Sequence, residues 1–197
     1  APLPFTTSTL QQEASKALNF STQKTMRLAQ QLYEGVDIDG YGTIGLITYL
    51  RTDSVRISDE ADMAARKYIE EVYGADYVSK VEQAKKSGNK IQDAHEAIRP
   101  TDISLSPVKI KEELSRDQFR LYQLIYNRFL ASQMEVAKYE SVTLKIGADG
   151  YEFSATSTKL VFDGFMVVYT MEDENDELRN LFKEIDSEDT ILVEDFI

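Results

Sequence analysis

Tyr49 and Arg51 stand two residues apart in the segment GLITYLRTDS, residues 45–54. Gly45 opens the segment, Leu46, Ile47, Tyr49 and Leu50 are strand formers, and Thr52, Asp53 and Ser54 carry turn chemistry. In extended backbone, positions i and i+2 face the same side, so the spacing predicts that phenol and guanidinium share a face at the mouth of a turn. Such a pair is either ordinary packing or a nucleophile beside a phosphate clamp. The one histidine of the chain, His95, lies in DAHEAIRPTD, residues 93–102; alone it reads as a structural histidine at least as readily as a catalytic one. Together the three suit attack of a phenolate on a phosphodiester. Tyrosine forms covalent intermediates, arginine offers a bidentate fork to phosphate oxygens, and histidine donates to the same phosphate or passes a proton.

Composition removes the competing chemistries. With no cysteine among 197 residues, neither a disulfide framework nor a thiolate zinc site is available, and a single histidine excludes a His-rich metal cage. No protein-held metal is expected, and no G-x-x-x-x-G-K-[ST] phosphate loop occurs. There is no charged-then-apolar start and no apolar run near the roughly 20 residues of a membrane span, so a soluble, cytoplasmic chain without a membrane partner is expected. A net charge of −12 argues against sequence-blind nucleic-acid binding by the whole surface.

That charge divides the chain. Up to Lys138 there are 18 Lys+Arg against 19 Asp+Glu, and from Tyr139 onward 4 against 15. The pattern changes at the same place, which predicts an α+β protein in two parts: a mostly helical, winged-helix-like domain over residues 1–136 and a partial antiparallel β domain over 137–197. In the first part a helix begins at an N-cap among Thr7, Ser8 and Thr9, with Leu10, Ala14, Ala17 and Leu18 at helical spacing. A second helix is capped by Ser21, carries Met26, Ala29, Leu32 and Tyr33 on one face and stops at Gly35. The two form a helix-turn-helix pair. A strand is expected over 43–50, and a helix from Ser58 to about Tyr73 with Ala61, Ala64, Ala65, Ile69 and Val72 inward. Residues 77–90 are polar and weakly patterned. SRDQFRLYQLIYNRFLASQ is the clearest helix, burying Phe119, Tyr122, Ile125 and Phe129. In the second part, Asp149-Gly150 signals a hairpin between two alternating strands, Asp163-Gly164 marks a turn or a bulge, and an acidic connector leads to a short strand, TILVEDF. Strands ending at Ile197 suggest a sheet whose partners lie elsewhere.

In this order along the chain, PFTTSTLQQEAS, KTMRLAQQLYEG, GLITYLRTDS with RISDEA, DAHEAIRPT, AKYESVTLKI and LVFDGF resemble the type IA DNA topoisomerases, bacterial topoisomerase I in particular. The resemblance covers nearly the whole chain and its combined motifs are highly specific. It implies that Tyr49, in the Y-[ML]-R-T-D-S motif, is the nucleophile and that Arg51 stabilises the scissile phosphate. In the H-E-A-I-R-P-T motif it makes His95 a DNA-contacting residue of the site and adds Arg99 as a DNA-binding residue. It also implies departures. The family's Toprim domain, whose acidic cluster binds magnesium and helps move the leaving-group proton, has no counterpart here. Nor do the remaining strands of the β-arch domain, the gate segment and the cysteine-rich C-terminal zinc modules. The chain thus reads as a catalytic-tyrosine domain, about 1–136, followed by the second portion of a β-arch domain, about 137–197. Its expected cofactor, Mg2+, is held by the Toprim domain, and its expected partners are single-stranded or underwound DNA and the missing domains of the same protein. The setting expected is the bacterial nucleoid.

The reaction so implied is transesterification to a transient 5′-phosphotyrosine, supporting ATP-independent strand passage and relaxation of negative supercoils. A phenol of ordinary pKa, about 10, is on the order of 0.1 percent ionised near neutrality, so such a site must take the proton away. Two readings from other classes compete. One is a non-catalytic winged-helix nucleic-acid-binding protein, against which counts the scarcity of cations on the second helix, where only Lys24 and Arg27 occur. The other is a structural interaction domain using the acidic β part. A tyrosine recombinase lacks its dispersed Arg and His residues.

Overall fold

A computed structural model of the chain describes residues 1–80, 95–148 and 151–169. The fold is α+β, with four α-helices and two small two-stranded sheets among the described residues. They fall into two compact units, 1–138 with 161–169, and 139–160 with the remainder of the chain.

The larger unit is built around α4 (Arg116–Gln133), which packs against α1 (Thr7–Leu18), α2 (Thr22–Glu34) and α3 (Asp59–Tyr73). Its start is specified locally: the Ser115 hydroxyl accepts the backbone N–H of Gln118, and the Gln118 side chain returns to the N–H of Ser115, closing a capping box. Leu121, Tyr122, Ile125, Tyr126 and Leu130 of α4 meet Leu10, Leu28, Leu32, Leu46, Leu50 and Ile69 in one apolar core. Each fully buried leucine or isoleucine there contributes about 1.5–3 kcal/mol. Buried tyrosine hydroxyls are satisfied: Tyr122 donates to the carbonyl of Leu105 at 2.8 Å and Tyr126 to that of Ile103 at 2.7 Å.

Several expectations shift in detail. Helix α1 is capped one residue earlier than Thr7, by Thr6, because Thr6 and Thr9 form a reciprocal capping box. Ser21 and Ser58 cap α2 and α3 as expected, and Gly35 ends α2. On α3 only Ala65 and Ile69 are buried, while Val72 is exposed, the buried face being narrower than the apolar stripe. Phe119 is half-buried at the rim of α4. Tyr33, expected on the apolar face of α2, is 39% exposed. The strand expected over 43–50 is reduced to β2 (Gly42–Ile44), paired antiparallel with β1 (Val36–Ile38). Beyond Ile44 the chain makes an isolated bridge, Ile47 with Pro100, and bends at Thr48, Leu50 and Arg51. Part of the polar segment 77–90 is ordered: the Tyr77 hydroxyl donates to Asp163 at 2.8 Å and its ring meets Phe162. Residues 81–94 lie outside the described residues.

Asp163-Gly164 is a 3-10 turn (Gly164–Val167). Gly164 has φ +52°, and a Cβ there would lie 2.5 Å from the carbonyl oxygen of Glu135, so only glycine fits.

In the second unit β3 (Lys138–Ala148) and β4 (Tyr151–Phe162) pair with each other. Cross-strand contacts of Ser141 with Thr158 and Thr143 with Thr156 fit one antiparallel register, and Lys145 reaches Glu152 on a diagonal. Residues 149 and 150, between the two strands, and 170–197, which include the acidic connector and TILVEDF, lie outside the described residues.

Candidate active site

The segment carrying Tyr49 is held by backbone groups on every side. The Leu46 N–H donates to the carbonyl of Leu32 at 2.7 Å. Gly45 runs so close to the end of α2 that a Cβ on it would lie 2.6 Å from the carbonyl oxygen of Tyr33. The stretch containing His95 binds the next residues. Thr101 donates its N–H to the carbonyl of Leu46 at 3.0 Å and its hydroxyl to that of Gly45 at 2.7 Å. Thr48 donates its N–H to the carbonyl of Arg99 at 2.9 Å and its hydroxyl to that of Ala97 at 2.7 Å, while accepting the N–H of Arg99 at 3.0 Å. On the other flank Thr7, first residue of α1, donates its hydroxyl to the carbonyl of Leu50 at 2.7 Å and its N–H to that of Thr52 at 2.9 Å; it accepts the N–H of Thr52 at 2.9 Å.

Pinned at Thr48 and Leu50, the backbone presents Tyr49 outward. Leu50 and Thr52 are buried, while Tyr49 is 43% exposed and Arg51 is exposed. The alternation expected of a strand is therefore present without a strand's ladder. The Tyr49 ring lies 6.1 Å from the His95 ring, tilted by 33°, and meets the Tyr33 ring edge-on at 5.5 Å and 65°. His95 is exposed. Among the described residues neither the Arg51 guanidinium nor the Tyr49 hydroxyl has a hydrogen-bond or ion-pair partner.

Arg99 differs. Its guanidinium, 13% exposed, donates to Glu96 at 2.9 and 2.6 Å, to the carbonyl of Pro100 at 2.9 Å and to the hydroxyl of Ser58, the N-cap of α3, at 3.4 Å. Arg56 approaches Glu96 at 4.0 Å, and its carbonyl accepts the N–H of Ala97 at 2.8 Å. The structure thus brings Tyr49 and His95 together, leaves Arg51 uncommitted nearby in sequence, and turns Arg99 into the fold. Thr48 and Glu96 are participants that the sequence pattern does not single out, and Thr7 and Tyr33 stand out in it only as a helix cap and an apolar-face residue. Their partners lie up to 51 residues away, so local pattern carries no sign of them.

No group of three or more His, Asp and Glu side chains that could hold a metal ion occurs among the described residues. No helix among them is long and apolar enough to cross a membrane. The combination present is therefore an exposed tyrosine, an uncommitted arginine and an exposed histidine on a rigid frame, suited to phosphoryl transfer to a phenol.

Residues 1–196 match the DNA topoisomerase family. The fold is similar to that of full-length topoisomerase I from Thermotoga maritima, with a TM-score of 0.74 and 46% sequence identity over 87% of this chain. The match spans 27% of the length of that protein. With nearly its whole length matched and its motifs in order, the chain belongs to the bacterial type IA DNA topoisomerase family.

Proposed function

We propose that this chain supplies the nucleophile with which a topoisomerase cuts and reseals one DNA strand. One observation carries the reading: Tyr49 is exposed on backbone pinned at both neighbours, its ring against His95 and an uncommitted arginine two residues on. Tyr49 Oη attacks a backbone phosphorus of single-stranded or underwound DNA. The Oη–P bond forms, the P–O3′ bond breaks, the phenolic proton leaves, and the departing oxygen takes up a proton to become a 3′-hydroxyl. Arg51 offsets the charge growing on the phosphoryl oxygens, an effect on the order of 3 kcal/mol where bound DNA and the rest of the longer protein exclude water from the site. His95 hydrogen-bonds the DNA backbone beside the tyrosine. Arg99, assigned to DNA contact by the resemblance, contributes through its pair with Glu96, which holds the His95 segment in place.

Because the phosphotyrosine ester keeps the energy of the phosphodiester, the 3′-hydroxyl reseals it without ATP, and strand passage between the two steps relaxes negative supercoils. The described residues do not fit a resident magnesium ion, so no step here runs through one. We assign that ion, and movement of the leaving-group proton, to a Toprim part of the longer protein, with gate and C-terminal parts as further intramolecular partners. The helix pair α1–α2 followed by the β1–β2 hairpin is read as winged-helix-like, residues 1–136 as the catalytic-tyrosine domain and 137–197 as part of a β-arch. The setting is the bacterial cytoplasm, on the nucleoid.

The test is Tyr49→Phe in the full-length enzyme. Covalent protein–DNA adduct on a denaturing gel should vanish while single-strand affinity and melting temperature stay near wild type, because only an exposed hydroxyl is removed. Adduct at wild-type level would refute the assignment.

A further inference from the structure

Tyr33 is the last aromatic residue of α2, and the reading of α2 as an amphipathic helix points it inward with Met26, Ala29 and Leu32. It is instead 39% exposed, and the described aromatic ring it meets is that of Tyr49, itself 43% exposed. Two half-solvated rings gain little from leaving water. Their edge-to-face geometry, 5.5 Å and 65°, is the arrangement in which the positive edge of one ring meets the negative face of the other. The backbone under both rings is fixed at short range. Leu32 accepts the N–H of Leu46 at 2.7 Å, and the Tyr33 carbonyl sits where only a glycine at position 45 can pass it. Three residues beyond Leu46 the chain reaches Tyr49, whose ring also neighbours the His95 ring at 6.1 Å.

We propose that Tyr33 is a positioning residue for the transesterification, its edge-on contact restricting the Tyr49 ring so that the phenolic oxygen meets the phosphorus in line. The proposal rests on Tyr49 being the nucleophile. An exposed tyrosine ring ordinarily samples several rotamers, and in-line attack accepts few of them. A displacement of about 1 Å at a reacting atom costs up to about a hundredfold in rate. Tyr33 acts through its ring, without touching the reacting atoms, so its aromaticity matters and its hydroxyl does not.

The experiment uses the full-length enzyme with Tyr33→Phe, Tyr33→Ala, Tyr33→Leu and Tyr49→Phe. It measures the single-turnover rate of adduct formation on a single-stranded oligonucleotide and, separately, the affinity for that oligonucleotide. Tyr33→Phe should form adduct within about twofold of wild type. Tyr33→Ala should be slower by about ten- to a hundredfold with affinity changed by less than about threefold. Tyr33→Leu keeps apolar bulk without an aromatic edge; it should be slow as well, and it serves if the alanine variant fails to fold. Three results would each overturn the proposal: a wild-type rate in the leucine variant, a loss of affinity as large as the loss of rate, or a phenylalanine variant as slow as alanine. Loss of affinity would make Tyr33 a base-stacking platform, and a slow phenylalanine variant would give the role to its hydroxyl. Adduct formation by Tyr49→Phe at the wild-type rate would instead refute the nucleophile assignment itself, so the two failures are told apart.

Discussion

Two nitrogens of Arg99 converge on a single carboxylate oxygen of Glu96, at 2.9 and 2.6 Å, while the guanidinium of Arg51 has no protein partner among the described residues. Two arginines that look alike in the sequence are thereby separated by their partners. Arg99 spends its donors on Glu96, Pro100 and Ser58, tying the His95 segment to the N-terminus of α3. Among the described residues Arg51 has none of its donors so engaged.

This difference should appear as opposite sensitivities. Arg99→Ala leaves the carboxylate of Glu96, 18% exposed, without its closest counter-charge, which costs about 1–3 kcal/mol of stability. Arg51→Ala removes an uncommitted, exposed side chain and should leave stability within about 0.5 kcal/mol of wild type. Urea unfolding of both variants is the check. Equal midpoints would mean that the Glu96–Arg99 pair contributes nothing.

Gly45→Ala tests the frame under Tyr49. The added methyl would lie 2.6 Å from the Tyr33 carbonyl oxygen, a backbone atom that cannot swing aside, so either α2 or the tyrosine segment must move. A cost of about 1–3 kcal/mol is expected, together with slower adduct formation, because both rings ride on that crossing. Unchanged unfolding and unchanged cleavage would show the crossing to be looser than its spacing implies.

Much of this was legible in the chain. Helix α4 declares itself through Ser115 and Gln118 at capping-box spacing and an apolar stripe, both local features. Tyr49 was singled out by its motif, and the structure exposes it on a segment pinned at both neighbours. What stayed hidden is set by pairing across long sequence distances. The apolar run after Ile44 has strand-like side chains, yet a ladder needs a partner, and its partner is the irregular stretch around Pro100. Thr7 carries no mark of its bonds to Leu50 and Thr52, which arise only when α1 is laid against that loop. Tyr33 looked like core because helical periodicity does not record where the neighbouring layer ends. The return of 161–169 to the helical unit brings Asp163 to Tyr77, 86 residues away in sequence.

Stability at high pH should fall earlier than peptide chemistry alone suggests. Burial pushes the hydroxyls of both Tyr122 and Tyr126 well above the ordinary tyrosine range, and both donate to backbone carbonyls. A raised folded-state value means the unfolded chain releases these protons first, above about pH 10. The stabilisation is complete below that pH and is lost as pH rises, by about 1.4 kcal/mol per pH unit for each tyrosine. Urea midpoints from pH 9 to 11.5 should therefore drop more steeply in wild type than in Tyr122→Phe. A parallel decline in the two would place the alkaline sensitivity elsewhere.

The last prediction separates Arg51 from His95. Arg51→Lys keeps a positive charge but loses the planar fork, so a phosphate is held by a point charge in poorer geometry. The loss should fall mainly on cleavage, by one to three orders of magnitude, about 1.4–4 kcal/mol of transition-state stabilisation. His95→Ala should instead weaken single-strand binding, because it removes a hydrogen-bonding group beside the tyrosine. Removing His95 also strips one neighbour from the Tyr49 ring, which should slow cleavage on top of the affinity effect. Affinity and cleavage rate measured for wild type and both variants decide the matter. Wild-type affinity in His95→Ala would leave His95 only a packing role beside Tyr49.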